Sequence, residues 1–181
     1  MAAGETTKWT YEDLEVLPAD GKRHEIIDGE HYVNPAPNLR HQRIVMNLGA
    51  AIYIYLKTHP IGEVWAAPVD VVFSEFDTVE PDVVYVSNER SKIMSGGKNL
   101  QGAPDLVVEV ISPSSRKMDE ITKRKLYSQF GVSEYWVIDP ELETVKIYRG
   151  STRMEMSNDA NDILTTPLLP GLEIPLAEIF E

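Results

Sequence analysis

Apolar residues change their period several times along the chain, and each change marks an element. From Leu39 to Lys57 they recur at Ile44, Val45, Leu48, Ile52, Tyr55 and Leu56. That is the three-and-four spacing of one buried helical stripe, and it predicts the longest helix of the protein. Pro60 and Gly62 close it. Upstream, Thr10 precedes YEDLEVL with acids in the first turn, which predicts a short capped helix ending near Pro18. RHEIIDGEHYV reads as two short strands around Asp28-Gly29, a dipeptide suited to a tight hairpin.

Beyond the long helix the strands dominate. EVWAAPVDVVFSE carries a proline near its middle, so it forms either an edge strand or two short pieces, with Asp70 inside its apolar run. Glu80-Pro81-Asp82 leads a strand over Val83–Val86. Asn88 to Gly102 is polar and holds Gly96-Gly97, which predicts a short helix and a mobile loop. Leu106–Ile111 is β-branched and apolar except for Glu109. An amphipathic helix follows from Met118 to Phe130, capped by Gly131. Tyr135–Ile138 and Thr144–Arg149 then pair across a short turn. The tail from Gly150 predicts a polar loop and two short strands within ILTTPLLPGLEIPL. Strands interleaved with helices imply an α/β (α+β) fold: a central mixed β-sheet of about five strands flanked by helices, in one domain over residues 1–181.

Composition narrows the chemistry. No apolar run approaches the roughly 20 residues that cross a bilayer, and MAAGETTKWTYEDLE lacks the basic and apolar regions of a signal peptide. The absence of cysteine excludes disulfides and thiolate metal sites, and fits a cytoplasmic location. With only four histidines (24, 31, 41 and 59), a histidine-rich zinc site is disfavoured. Oxygen ligands suit Mg²⁺, Mn²⁺ or Ca²⁺ instead. The net charge of −12 argues against broad, non-specific nucleic-acid binding. It leaves room for a localised basic patch at Arg116, Lys117, Lys123, Arg124 and Lys125, with smaller clusters at Lys22, Arg23, Arg40 and Arg43. The plainer reading of such runs is a solvated helix face.

Burying ionised Glu109 in its strand costs several kcal/mol unless a cation or hydrogen-bond donors compensate. Asp82 opens the preceding strand. If the two strands are antiparallel neighbours, about 4.8 Å apart, the acids meet and can share one hard cation; without it they repel. The plainer alternative has Asp82 capping a strand and Glu109 paired with an arginine. Asp119, Lys123 and Tyr127 share one helix face at i, i+4 and i+8. That helix returns from the C-terminal end of the Glu109 strand, where an ammonium can stabilise a developing oxyanion or orient water. The alternative is an exposed Asp119–Lys123 pair worth under about 1 kcal/mol. Lys125 points off this face. Glu25 is a second acid for the site or else a hairpin surface residue. His41 either faces the site or is structural. Asp28 reads as a turn residue and Asp139 as a strand terminator. Asp105 shares the strand face of Glu109 but lies about 13 Å away along it.

Taken together, HEIIDGE, HQRIVMNL, APVDVVFSE, EPDVVYVSNER, GAPDLVVEVISPSS and KRKLYSQFGVSEYWVIDPE resemble the restriction-endonuclease-like Uma2 family, itself similar to the PD-(D/E)XK nucleases. The resemblance covers nearly the whole chain. It implies a restriction-endonuclease-like core with Pro81-Asp82 as the PD element and Glu109 as the second acid. Where the superfamily has lysine two residues later, this chain has Ile111; Lys123 matches the helix position that substitutes for it. Glu25 matches the N-terminal acid. The resemblance further implies metal-dependent hydrolysis of DNA phosphodiesters, with Asp82, Glu109 and the Val110 carbonyl holding Mg²⁺ or Mn²⁺, and a homodimer. Two alternatives stand beside it: a catalytically inactive nuclease-fold module that binds nucleic acid or protein, favoured by the acidity, and a metal-dependent hydrolase of another phosphate ester.

Overall fold

Thr10 and Asp13 cap each other's backbone at the start of α1 (Tyr11–Glu15), a reciprocal box that satisfies two amides otherwise left without partners. The structure, a computed structural model, describes residues 7–18 and 20–181; the first six residues of the stretch read for a signal peptide lie outside the described residues. β1 (Arg23–Ile27) and β2 (Glu30–Asn34) form the expected hairpin. Its turn places Asp28 at φ 52° and Gly29 at φ 76°, the left-handed pair that a two-residue hairpin loop requires. α2 (Leu39–Thr58) is the long helix and buries Ile44, Val45, Leu48, Ile52 and Leu56.

The proline-interrupted segment divides into two strands that join different sheets, β3 (Gly62–Ala66) and β4 (Val71–Ser74). β5 (Asp77–Val79) and β6 (Val83–Ser87) follow. The segment read as a short helix and loop holds a 3₁₀ turn over Asn88–Met94 and then β7 (Leu100–Gln101). β8 (Leu106–Val110) leads to a wide-pitched turn over Met118–Lys123 that runs directly into α3 (Arg124–Gln129). Next come β9 (Glu134–Asp139), β10 (Thr144–Arg149) and β11 (Thr152–Ser157). β11 occupies the stretch expected as a loop. β12 (Ile163–Leu164) and β13 (Ile174–Pro175) are the two short tail strands, and α4 (Leu176–Phe180) ends the chain. Neither β11 nor α4 shows a clean period in the sequence. β11 is an edge strand with little burial, and α4 has five residues.

The central sheet is mixed, as expected, but has six strands in the order β11-β10-β9-β8-β6-β3, and a second sheet of five strands, β2-β1-β5-β4-β7, stands beside it. β8 pairs in parallel with β9 and antiparallel with β6. Side chains alternate across β8. Val108 and Val110 join the core around Ile44, Leu48, Ile52 and Trp136, whereas Val107 and Ile111 join the core around Leu126, Tyr127, Ile27 and Val79. Glu109 therefore faces the second core, under α3 and the β1–β2 hairpin. No helix among the described residues is long and apolar enough to cross a membrane.

The α2 stripe is directly testable. Ile52 is fully buried while Ile54 is 67% exposed. Ile52→Ala is expected to lower stability by about 2–5 kcal/mol, and Ile54→Ala to stay within about 0.5 kcal/mol. Urea midpoints measure both, and equal effects would overturn the packing described.

Candidate active site

Three distant parts of the chain meet at Lys123. Its Nζ donates to Glu25 Oε1 at 2.7 Å and to Glu109 Oε1 at 2.9 Å. The Tyr127 hydroxyl donates to the same Glu109 oxygen at 2.7 Å. Asp119 Oδ1 stands 3.8 Å from Nζ. The helical face predicted from i, i+4 and i+8 is thus the face turned to β8. Its lysine is 3% exposed, so the exposed-pair alternative does not hold. The wide-pitched turn lies directly over Glu109, and such insertions recur where a helix must re-aim a side chain. Glu25 is also fully engaged, with Oε2 accepting from Asn34 Nδ2 and Oε1 from the Glu80 amide.

Asp82 sits across from Glu109. The β6–β8 register pairs Val83 with Val108 and Val84 with Val107; one step further sets Asp82 opposite Glu109. Its Oδ1 accepts from Arg23 Nη1 at 2.6 Å. Its Oδ2 accepts from the Val110 amide at 2.7 Å and lies 3.1 Å from His41 Nε2. Arg23 Nε also pairs with Glu80 at 3.0 Å. His41 Nδ1 is buried with no partner among the described residues. A cleft of about 480 Å³ opens over these groups, with Asn38, Arg40, Ser112 and Ser114 at its rim.

The two acids live in opposite environments. Burial pushes the Asp82 carboxyl up, but His41 and Arg23 more than offset this and hold it below the usual range. Burial lifts Glu109 well above that range; Lys123 opposes the rise, while Asp119, Asp82 and Glu25 add to it. Burial likewise pushes Asp119 up to about 6. Lys123 loses solvation, yet Glu109, Glu25 and Asp119 raise its affinity for its proton above that of an ordinary lysine.

Both protein donors to Glu109 use Oε1, so Oε2 has no donor among the described residues, although the residue lines the cleft. Among the described residues the carboxyls of Glu25, Asp82, Glu109 and Asp119 face only Arg23 and Lys123 as fixed cations. That excess of negative charge, on oxygen donors alone, suits a hard divalent ion. Among the described residues no three His, Asp or Glu side chains are already grouped as a ligand set. Asp82 is taken by Arg23, His41 and the Val110 amide. The donors therefore fit such an ion in kind and charge, on condition that Arg23 releases Asp82.

The remaining candidates have structural roles. Asp28 forms the hairpin turn. Asp105 accepts from the Ser87 amide and pairs with Arg90. Asp139 accepts from the Glu141 and Leu142 amides and pairs with Arg116. The basic run divides three ways: Arg116 goes to Asp139, Lys123 goes inward, and Lys117, Arg124 and Lys125 stay exposed. Arg23 was missed as a site residue. Period-two alternation places it on the same strand face as Glu25, and that signal was available.

A mixed sheet carrying two acids at its centre, with a lysine-bearing helix folded over them, defines a restriction-endonuclease-like core. The sequence profile of the Uma2 family, described as "Putative restriction endonuclease", matches residues 10–177, and the chain belongs to that family. The fold is similar to the crystal structure of a "putative nuclease belonging to DUF820" from Anabaena variabilis. The TM-score is 0.79 at 21% identity, covering 94% of this chain and 97% of the other. A looser overlap, with a TM-score of 0.37, 16% identity and coverage of 77% of this chain and 15% of the other, links it to the type IIG restriction endonuclease BpuSI and carries no argument. No curated protein matches the sequence.

Asp119 supplies a pH test. Its folded value lies above its unfolded one, so its contribution to stability is fully present below about pH 4 and is lost as pH rises through about 6. Asp119→Asn is expected to stabilise the protein at pH 7 by up to about 3 kcal/mol and to flatten the stability profile between those values. Melting curves across pH check this; an unchanged profile would refute the assignment.

Proposed function

We propose that this protein is a metal-dependent endonuclease that hydrolyses DNA phosphodiester bonds. The observation that carries the reading is the buried contact of Lys123 with Glu109, set opposite Asp82 at the floor of an open cleft. Asp82, Glu109 and the Val110 carbonyl would hold Mg²⁺ or Mn²⁺, which when bound supplies Lewis-acid polarisation of the scissile phosphate and acidifies attacking water.

The chain's own groups divide the remaining work. Lys123 keeps its proton because three carboxyls surround it, so it serves as an electrostatic partner for the developing negative charge and not as a base. Glu25 and Glu109 fix the ammonium in place. Tyr127 holds Glu109 Oε1 from behind, which turns Oε2 toward the cleft. Asp82, held anionic by Arg23 and His41, is ready to accept a cation at neutral pH. Arg23, once displaced, is placed to meet a phosphate oxygen. Cutting both strands of a duplex calls for two such sites, and the homodimer expected from the resemblance belongs to this reading.

One observation favours the inactive-module reading: Arg23 sits where the ion would bind, and a relic would keep that pair closed. Calorimetry with Mn²⁺ separates the two readings. The active reading expects the parent chain to bind Mn²⁺ and Arg23→Gln to bind it about tenfold tighter, roughly 1.4 kcal/mol. No binding by either protein would leave only the module. For catalysis, plasmid DNA incubated with Mg²⁺ or Mn²⁺ should be nicked or cut, and Glu109→Gln should lower the rate by about 100-fold or more. Cleavage that persists undiminished in Glu109→Gln would sink the assignment.

A further inference from the structure

Behind the helical segment that carries Lys123 lies a second depression, of about 680 Å³, bounded by α3, β10 and the β10–β11 turn. Its lining includes Arg124, Lys125 and Arg153 and not one carboxylate. In a chain with 29 acids and 17 lysines and arginines, that segregation runs against composition. Lys123 and Arg124 are neighbours with opposite destinations, one sealed against Glu109 and the other exposed.

The groove has the features of a phosphate-backbone site. The Arg124 guanidinium lies 5.0 Å over the Tyr148 ring. That cation–π contact tethers the guanidinium, whose N–H groups are able to meet two phosphate oxygens. Among the described residues neither Arg124 nor Lys125 makes an ion pair, whereas Arg153 shares Nη2 with exposed Glu155, a contact weak enough to yield to a phosphate. Ser151 and Thr152 line the turn side. The two sites also touch. Tyr127 lines this groove while its hydroxyl reaches Glu109, so one aromatic ring separates the groove from the reacting acids.

We propose that this groove binds the phosphodiester backbone of a DNA strand outside the cleft, with Arg124 and Lys125 as its principal phosphate contacts. The proposal rests on the nuclease reading for its choice of DNA as ligand. It accounts for how a chain of net charge −12 engages a polyanion: cations are concentrated in one groove, with carboxylates kept off its walls.

The test is fluorescence anisotropy of a labelled DNA duplex in EDTA, titrated with the full chain over a range of salt. The parent is expected to bind, and Arg124→Gln/Lys125→Gln to weaken binding by about tenfold or more. Each lost phosphate contact removes about 0.9 from the salt slope, so the double variant should lose about two. Arg124→Lys/Lys125→Arg keeps the charges and should retain the parent slope. Both sites are exposed, and unchanged melting curves confirm that the comparison is of folded proteins. Unaltered affinity and slope in the Gln variant overturn the groove while leaving the nuclease reading to the Glu109-dependent cleavage assay. A parent chain that binds no DNA overturns the groove as well. Groove-dependent binding without Glu109-dependent cleavage supports the groove and removes the nuclease reading.

Discussion

The ammonium of Lys123, held between Glu25 and Glu109 and shut away from water, is the constraint on which the rest of the architecture turns. A lone buried charge costs several kcal/mol, and so does a lone buried carboxylate. Neither side chain can therefore occupy its place unless the other two arrive. Glu25 brings the β1–β2 hairpin, Glu109 brings the central strand, and Lys123 brings the helix. One ion cluster thereby docks the small sheet and the helix against the same face of the large one. Deleting Lys123 would leave Glu25 and Glu109 without the cation they share, which makes the cluster a device for specifying geometry more than for adding stability.

That geometry sorts the acids. Asp82 and Glu109 face each other across two neighbouring strands, yet their proton affinities move apart. Asp82 is bathed in donors from Arg23, His41 and the Val110 amide. Among the described residues Glu109 has its donors on one oxygen only, and three other carboxyls stand nearby. Carboxyls separated in this way take different chemical roles in one site. Here Asp82 is held toward its anionic form, and burial favours the protonated form of Glu109. A cation beside Oε2 would favour the ionised form that Lys123 already stabilises.

Much of this was legible in the sequence because it depends on short periods. The α2 stripe, the Asp-Gly hairpin and the single acid in LVVEVI each follow from local sterics and burial. The convergence of Asp82, Glu109 and Lys123 followed from one topological step, the antiparallel neighbouring of β6 and β8. What escaped had no local signature. The second sheet gathers strands of three to five residues and one of two residues, whose pairing is decided by long-range contacts. β11 is an exposed edge that alternation cannot mark, because it has no buried side to contrast with a polar one. Arg23 was passed over as part of a surface charge cluster. The strand period that buries Glu25 carries Arg23 to the same cleft, and only the position of Asp82, far along the chain, reveals what it is for.

The acidity of the chain and its nuclease-like core pull in different directions only if charge is averaged over the whole surface. At physiological ionic strength a charge is felt over about 8 Å, so a DNA strand samples local patches and not the net total. Within that range the cleft presents Arg23, Arg40 and Lys123 among its acids, and the groove on the far side of the same helix presents cations alone. If DNA is the ligand, as proposed, such a distribution would discriminate by orientation, because attraction confined to a few patches of an otherwise acidic chain favours one path over others. On that reading the −12 charge would favour one route by which a phosphate could reach Glu109.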